Sequence, residues 1–177
     1  MGREGKLPWR IPEDFENFSR LTAGQICVLG RVCFDTWPDA VRDGRQPVVL
    51  THRPLPGSTT SSRSASEARD SGHSTPMIAP SFPAALDIAE ALPGEIYVCG
   101  GQRVFEQALA LKRPTRLHLT LVHAEVQGDR YFPEWRHLEW REVSRRDGSD
   151  ATFRYTFFTL ERIWRPGPPE SAVTARS

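Results

Sequence analysis

Apolar and polar positions fall into short blocks that set the chain out as alternating helices and strands. Residues 1–11 read as loop, with Gly2, Gly5 and Pro8. Pro12 suits the first turn of a helix over 12–21, whose apolar side carries Phe15, Phe18 and Leu21. The run 25–29 predicts a strand closed by Gly30, residues 31–37 a helix ended by Pro38, and 47–51 a second strand after the Asp43-Gly44 turn. Further on, the pattern predicts a helix over 83–92 and a strand over 95–99 closed by Gly100-Gly101. A helix over 102–111 follows, with Val104, Phe105, Ala108 and Leu111 on one face, then strands over 116–122 and 152–161. Strands alternating with helices early and strands alone late imply an α/β domain, with a mostly parallel central sheet flanked by helices and an antiparallel edge.

Two segments break the pattern. Between 54 and 82 the stretch 58–75 holds seven serines and three threonines among eighteen residues, flanked by prolines. It cannot bury enough apolar surface to offset its ordering entropy, so a mobile, dispensable surface insertion is expected there. Residues 165–177 read as a disordered, Pro-rich tail, which leaves one domain over 1–164.

Charge excludes some function classes. The 23 Lys+Arg against 22 Asp+Glu give a net charge of +1, which supplies no general electrostatic grip on nucleic acid or on an anionic membrane. No apolar run reaches bilayer length, and the first residues show no secretory h-region. Cys27, Cys33 and Cys99 lie in or beside apolar runs without CxxC spacing, a pattern of reduced, buried thiols in a cytoplasm. The five histidines show no metal-ligand spacing, and no nucleophile motif of a hydrolase is present.

Three groups of residues could carry chemistry. Asp14 falls angularly between Phe18 and Leu21, so its carboxylate emerges inside an apolar stripe. Either it only complements the helix dipole, or its aromatic surroundings raise its pKa and fit it to handle a proton near neutrality. Two strand–Gly–helix junctions, 28–31 and 98–102, each aim a helix N-terminus at the end of a sheet, where an anion such as a pyrophosphate is favoured. Each alone reads equally as a tight turn, but one dinucleotide could use both. Thr51-His52-Arg53 follows a strand and, with Arg31, could hold a further phosphate such as that on the ribose of NADP; a solvated loop is the plainer alternative.

Several segments, in order, resemble the dihydrofolate reductase family: Leu7-Pro-Trp-Arg-Ile-Pro-Glu-Asp-Phe15, Val28-Leu-Gly-Arg31, Gly44-Arg45 before Val48-Val-Leu-Thr51, Ile96-Tyr-Val-Cys-Gly-Gly101, Leu117-His-Leu-Thr120, and Ala124-Glu-Val-Gln-Gly-Asp129 before Phe132-Pro133. The resemblance runs from Gly2 to about Arg162 and implies an enzyme passing hydride from NADPH to dihydrofolate. It assigns Asp14 to grip the pterin, Trp9 to order water beside it and Thr120 to stand behind it. Phe15 and Phe18 line the folate pocket, and Arg45 holds the glutamate carboxylate as a planar fork. Around the cofactor it places Gly30, Arg31, Val32, Cys33, Thr51 and His52. Cys99, Gly100 and Gly101 form a tight turn beneath it, with Gln102, Arg103 and Val104 following. Antifolates are implied as ligands, and no metal.

Three departures qualify the resemblance. Val32 and Cys33 stand where the family has a basic or His residue and then Thr or Ser, and Phe105 replaces a Tyr. The family's first β-strand, which precedes the residue matched by Gly2, has no counterpart. Met1 is therefore expected to stand for a GTG valine codon with more chain encoded upstream. The 177-residue form is expected to be insoluble or to borrow a strand, and a monomer if complete. The alternatives are a related NADPH-dependent reductase of a pyrimidine or other heterocycle, and an N-terminally truncated, inactive nucleotide-binding homologue.

Overall fold

A computed structural model describes residues 2–53, 55, 74–113 and 115–165. The chain divides into two units, one of Met1–Leu109 with Val126–Pro133 and one of Ala110–Glu125 with Glu134–Ser177.

The first unit carries α1 (Pro12–Thr22), β1 (Ile26–Gly30), α2 (Arg31–Asp35), a 3-10 turn at Pro38–Val41, β2 (Gln46–Leu50), β3 (Met77–Ala79), α3 (Phe82–Glu90), β4 (Ile96–Gly100) and α4 (Gln102–Leu109). Its four strands are all parallel in the order β3-β2-β1-β4. The two inner strands are covered on both faces, which is why they read as unbroken apolar runs rather than as alternation. Ile26, Cys27, Val28, Leu29, Val48 and Val49 are all buried. Pro47 is tolerated in β2 because Gln46 donates towards β1, to Gln25 O, so the next position faces the β3 side before β3 pairing begins at Val48↔Met77. α3 starts on Ser81, whose Oγ accepts from Ala84 N at 3.3 Å, and buries Phe82, Ala85, Leu86 and Ala89.

The order has a consequence for function. The chain runs outward from β1 to β2 to β3 and then returns to place β4 on the other side of β1. That reversal makes the carboxyl ends of β1 and β4 a topological switch point, where open α/β sheets form a crevice.

The second unit is an antiparallel sheet in the order β5-β7-β6, built from β5 (Arg116–Val122), β6 (Trp140–Ser149) and β7 (Arg154–Arg162). Central β7 buries Tyr155, Thr156, Phe157 and Leu160. On β6, Arg145 lies 5.4 Å from the Phe158 ring and Arg146 lies 4.4 Å from that of Phe157, so long cationic stems cover the aromatics of β7.

The expected parallel central sheet flanked by helices is present, and the antiparallel strands pair among themselves in the described residues. Two expectations are corrected. The irregular segment does not extend to 82: Met77–Ala79 pair with β2, Leu55 is buried, and Gln46 Nε2 donates to Thr75 O at 2.9 Å. β6 is a strand that the hydrophobic pattern does not reveal. The remainder of the Ser-rich stretch, 56–73, and the tail from 166 lie outside the described residues. Among the described residues no helix is long and apolar enough to cross a membrane.

Candidate active site

The two glycine junctions end β1 and β4 at the switch point, and they meet. A Cβ on Gly30 would lie 3.7 Å from Gly101 N and 3.9 Å from Gly100 O, so β1 and β4 deliver their last residues into one place. Gly100 has φ +107, a conformation that L side chains rarely adopt, and a Cβ there would come within 3.1 Å of the Phe105 ring. The Gly100–Gly101 peptide is cis. Gly101 O accepts from Val104 N at 2.9 Å and Phe105 N at 3.0 Å, which starts α4 and leaves the earlier N–H groups at its N-terminus facing outward. Val104 is buried behind Gly30, Gln102 and Arg103 open the helix, and Phe105 stacks on Phe132 with centroids 4.9 Å apart. Cys33 Sγ packs against this turn, 3.3 Å from where a Cβ on Gly101 would be. Cys99 enters the turn from β4, and Val32 is exposed.

Around the neighbouring ends stand the polar groups expected for a ribose phosphate. Arg31 begins α2 and binds Asp35 with Nε at 2.8 and 2.9 Å from the two carboxylate oxygens. Thr51 extends β2 by donating its N–H to Ala79 O, and its Oγ1 accepts from Arg53 N at 3.1 Å. His52 is exposed between them. A dinucleotide fits this donor set. Gly100 and Gly101 leave room where a Cβ would crowd Phe105 and Cys33, two helix N-termini supply N–H groups for a pyrophosphate, and Arg31, Thr51 and His52 stand at strand and helix ends on the same edge of the sheet.

The substrate side is built from α1. Its first turn holds Glu13 and Asp14, with Asp14 half-buried and its N–H on Ile11 O at 3.1 Å. Phe15 is 47% exposed, and Phe18 and Trp9 are half-buried. Phe18 packs on Trp37 with centroids 4.9 Å apart. The aromatic face of α1 is therefore not core, because Thr22 is the buried residue of this helix. Thr120 lies half-buried on β5, in the second unit.

Arg45 departs from the expected open fork. Its side chain is 1% exposed. Nε donates to Thr22 Oγ1 at 2.9 Å and Nη2 to Ser19 O at 3.1 Å, while Nη1 is shared among Asp43 Oδ2 at 2.7 Å, Arg42 O and Asp39 O. The Trp37 ring lies 5.4 Å from the guanidinium carbon. In this arrangement the fork is spent on the protein, tying the end of α1 to the Asp43-Gly44 turn, and it is not free for a bidentate carboxylate. Trp37 and Thr22, which complete this cluster with the turn residue Asp43, carry no periodic or motif signal.

The sequence profile described as dihydrofolate reductase matches residues 1–162. The chain belongs to the dihydrofolate reductase family. It is 35% identical over 168 residues to dihydrofolate reductase HdrB of Haloferax volcanii, a match covering 92% of this chain and 77% of the relative. With the dihydrofolate reductase of Bacillus subtilis it shares 29% identity over 165 residues, 92% of this chain and 87% of the other. Its fold is similar to that of the dihydrofolate reductase of Enterococcus faecalis complexed with NADP(H) and RAB-propyl. The TM-score there is 0.68 and the identity 28%, with 92% of this chain and 89% of that one covered. The family's reaction is the NADPH-dependent reduction of dihydrofolate.

Proposed function

We propose that the chain reduces 7,8-dihydrofolate to 5,6,7,8-tetrahydrofolate in the cytoplasm, acting as a monomer that antifolates also occupy. The observation that carries this reading is the meeting of two glycine junctions at the switch point, in the unit that also holds Asp14 on a half-open aromatic helix. NADPH, when bound, supplies the hydride that C6 of the pterin gains. The protein's own work is to bind, orient and handle the proton that N5 gains. Asp14 grips the pterin and relays that proton, Trp9 orders the water through which it passes, and Phe15 and Phe18 form the apolar wall that keeps other water out. Gly30, Cys33, Gly100, Gly101, Gln102 and Arg103 hold the dinucleotide backbone. Arg31, Thr51 and His52 hold the ribose phosphate that distinguishes NADPH from NADH.

The occupied fork of Arg45 favours a second reading for the tail of the substrate: a reduced heterocycle without a glutamate is accepted as well as dihydrofolate. Steady-state kinetics separate the two. If the tail is gripped, KM for a dihydropterin lacking glutamate exceeds that for dihydrofolate by about tenfold or more, the scale of one charge-assisted contact. Equal KM values would support the second reading, and no NADPH oxidation with either substrate would overturn both.

A further inference from the structure

We propose that Cys27 and Cys99 form a dithiol that peroxide closes to a disulfide directly beneath the two glycine junctions, and that closure weakens dinucleotide binding. All three cysteines of the chain come together here. Cys27 on β1 lies in one apolar cluster with Leu29, Val49 and Leu55, and Cys99 on β4 and Cys33 on α2 pack against it. β1 and β4 are adjacent parallel strands, with Cys27 opposite Tyr97. In a regular ladder Cys99 would be offset from Cys27 by two residues. The register instead shifts between Val28 and Leu29, so that Leu29 is opposite Gly100 and Cys99 falls opposite the gap. That shift cuts the offset along the strand to about 5 Å, which at a strand spacing of about 4.8 Å puts the two Cα atoms roughly 7 Å apart. This is the upper end of what a disulfide bridges, so closure draws the Cys99 bulge towards β1.

The chemistry of the pair differs from that of the third thiol. The hydrogen bond with Cys99 lowers the Cys27 thiol below its ordinary value against the opposing effect of burial, and the buried Arg45 guanidinium adds to the lowering. The same bond pushes Cys99 up, so the pair gives up its first proton more readily than its second. Cys33 is only raised in net, by burial, and its sulfur is packed on Gly100–Gly101. Peroxide reaches the pair past half-buried Cys99, and the lowered thiol behind it, Cys27, is the nucleophile. The Cys27 sulfur attacks hydrogen peroxide: an S–O bond forms, the O–O bond breaks, and the departing hydroxide leaves as water with the thiol proton. Cys99 then attacks the sulfenic sulfur: the S–S bond forms, the S–O bond breaks, and a second water leaves with the Cys99 proton. Two electrons pass from the thiols to one peroxide.

The thiol readout stands independently of the proposed function, whereas the cofactor readout rests on it. The full chain is treated with hydrogen peroxide, quenched and unfolded in alkylating reagent. Free thiols should fall from three to one, a peptide map should join Cys27 to Cys99, and dithiothreitol should restore all three. Cys33→Ser should still lose two thiols, and Cys99→Ser should form no internal link. A link through Cys33, or oxygen added to Cys33 without any link, overturns the pair. Dissociation constants for NADPH, measured by fluorescence titration on reduced and oxidised protein, should differ by about tenfold. Equal values overturn the effect on binding. If reduced protein binds no NADPH, the proposed function fails, while the thiol count still decides the dithiol.

Discussion

In the proposed site the carboxyl ends of β1 and β4 contribute backbone, whereas α1 contributes side chains, and the two respond differently to change. Gly30, Gly100 and Gly101 sit where strands become helices, and at Gly100 both the positive φ and the Phe105 ring oppose a side chain. Such a cradle is least tolerant of substitution at Gly100, and it shows up in sequence as strand–Gly–helix. The α1 side depends on Asp14, Phe15 and Phe18, and on an arginine cluster assembled from Ser19, Thr22, Trp37, Asp43 and Arg45. Those side chains can be exchanged one at a time, so their separate effects grade the comparison.

The largest effect is expected at Asp14. Asn is nearly isosteric, so α1 and NADPH affinity should survive while turnover at neutral pH falls by several orders of magnitude. No group is then left to relay the proton, and the pterin loses its charged partner. The residual rate should rise as pH falls, because solution then supplies protonated substrate. A variant within a few-fold of wild type at pH 7 would reduce Asp14 to a helix-dipole residue.

Gly100→Ala tests the backbone side. Its Cβ would fall 3.1 Å from Phe105 Cε2 at a positive φ, so both sterics and conformation oppose it. NADPH affinity should fall by about a hundredfold, roughly 2.7 kcal/mol, with a smaller effect on overall stability. Isothermal titration giving wild-type affinity would show that the turn does not hold the dinucleotide.

The same contrast explains what was legible in the sequence. β1 and β2 read as apolar runs because these inner strands are covered on both faces, β4 reads as one although it is an edge strand of mostly half-buried residues, and β5 falls at the predicted bounds. β6 was not legible: its ten residues are exposed or half-buried, and arginine stems take the place of an apolar face. β3 is three residues long and borders a Ser-rich stretch whose composition masks it. In the site, the glycine junctions were readable because their requirement is local. The fate of Arg45 was not, because its partners come from positions 19 to 43 and only folding brings them together.

Arg45 matches Gly100 in size, but its effect is on stability rather than on binding. Replacing it with Met removes the bonds to Thr22, Ser19 and Asp43 and leaves Thr22 buried without its donor. The cost should be about 3 kcal/mol, which lowers Tm by roughly 10 °C in a chain of this length. A loss confined to KM for dihydrofolate, with Tm unchanged, would restore the carboxylate fork.

Arg31→Ala should be milder. Its guanidinium is half-exposed and already paired with Asp35, so NADPH should weaken by about tenfold, the size of one screened charge-assisted contact. NADH should barely change. Equal weakening of both cofactors would take Arg31 out of the phosphate site and leave Thr51 and His52 to carry the preference.

The smallest effect is expected in the Ser-rich stretch, and its boundary is what makes the test sharp. Replacing 58–72 with a short Gly/Ser bridge removes residues whose composition supports no core, and loop closure changes by only about 0.6 kcal/mol for each doubling of length. Tm and NADPH affinity should therefore stay close to wild type. Extending the replacement to 75 should not be neutral. Ser74 donates its N–H to Val41 O at 2.9 Å and its hydroxyl to Arg45 O, and Thr75 O accepts from Gln46. These bonds anchor the entry to β3 against β2 and the turn that holds Arg45, and losing them should cost about 0.5–1.5 kcal/mol each. Thermal melts of the two variants side by side decide the matter: equal Tm values would mean that Ser74 and Thr75 contribute nothing, and a large loss in the shorter replacement would make the whole segment structural.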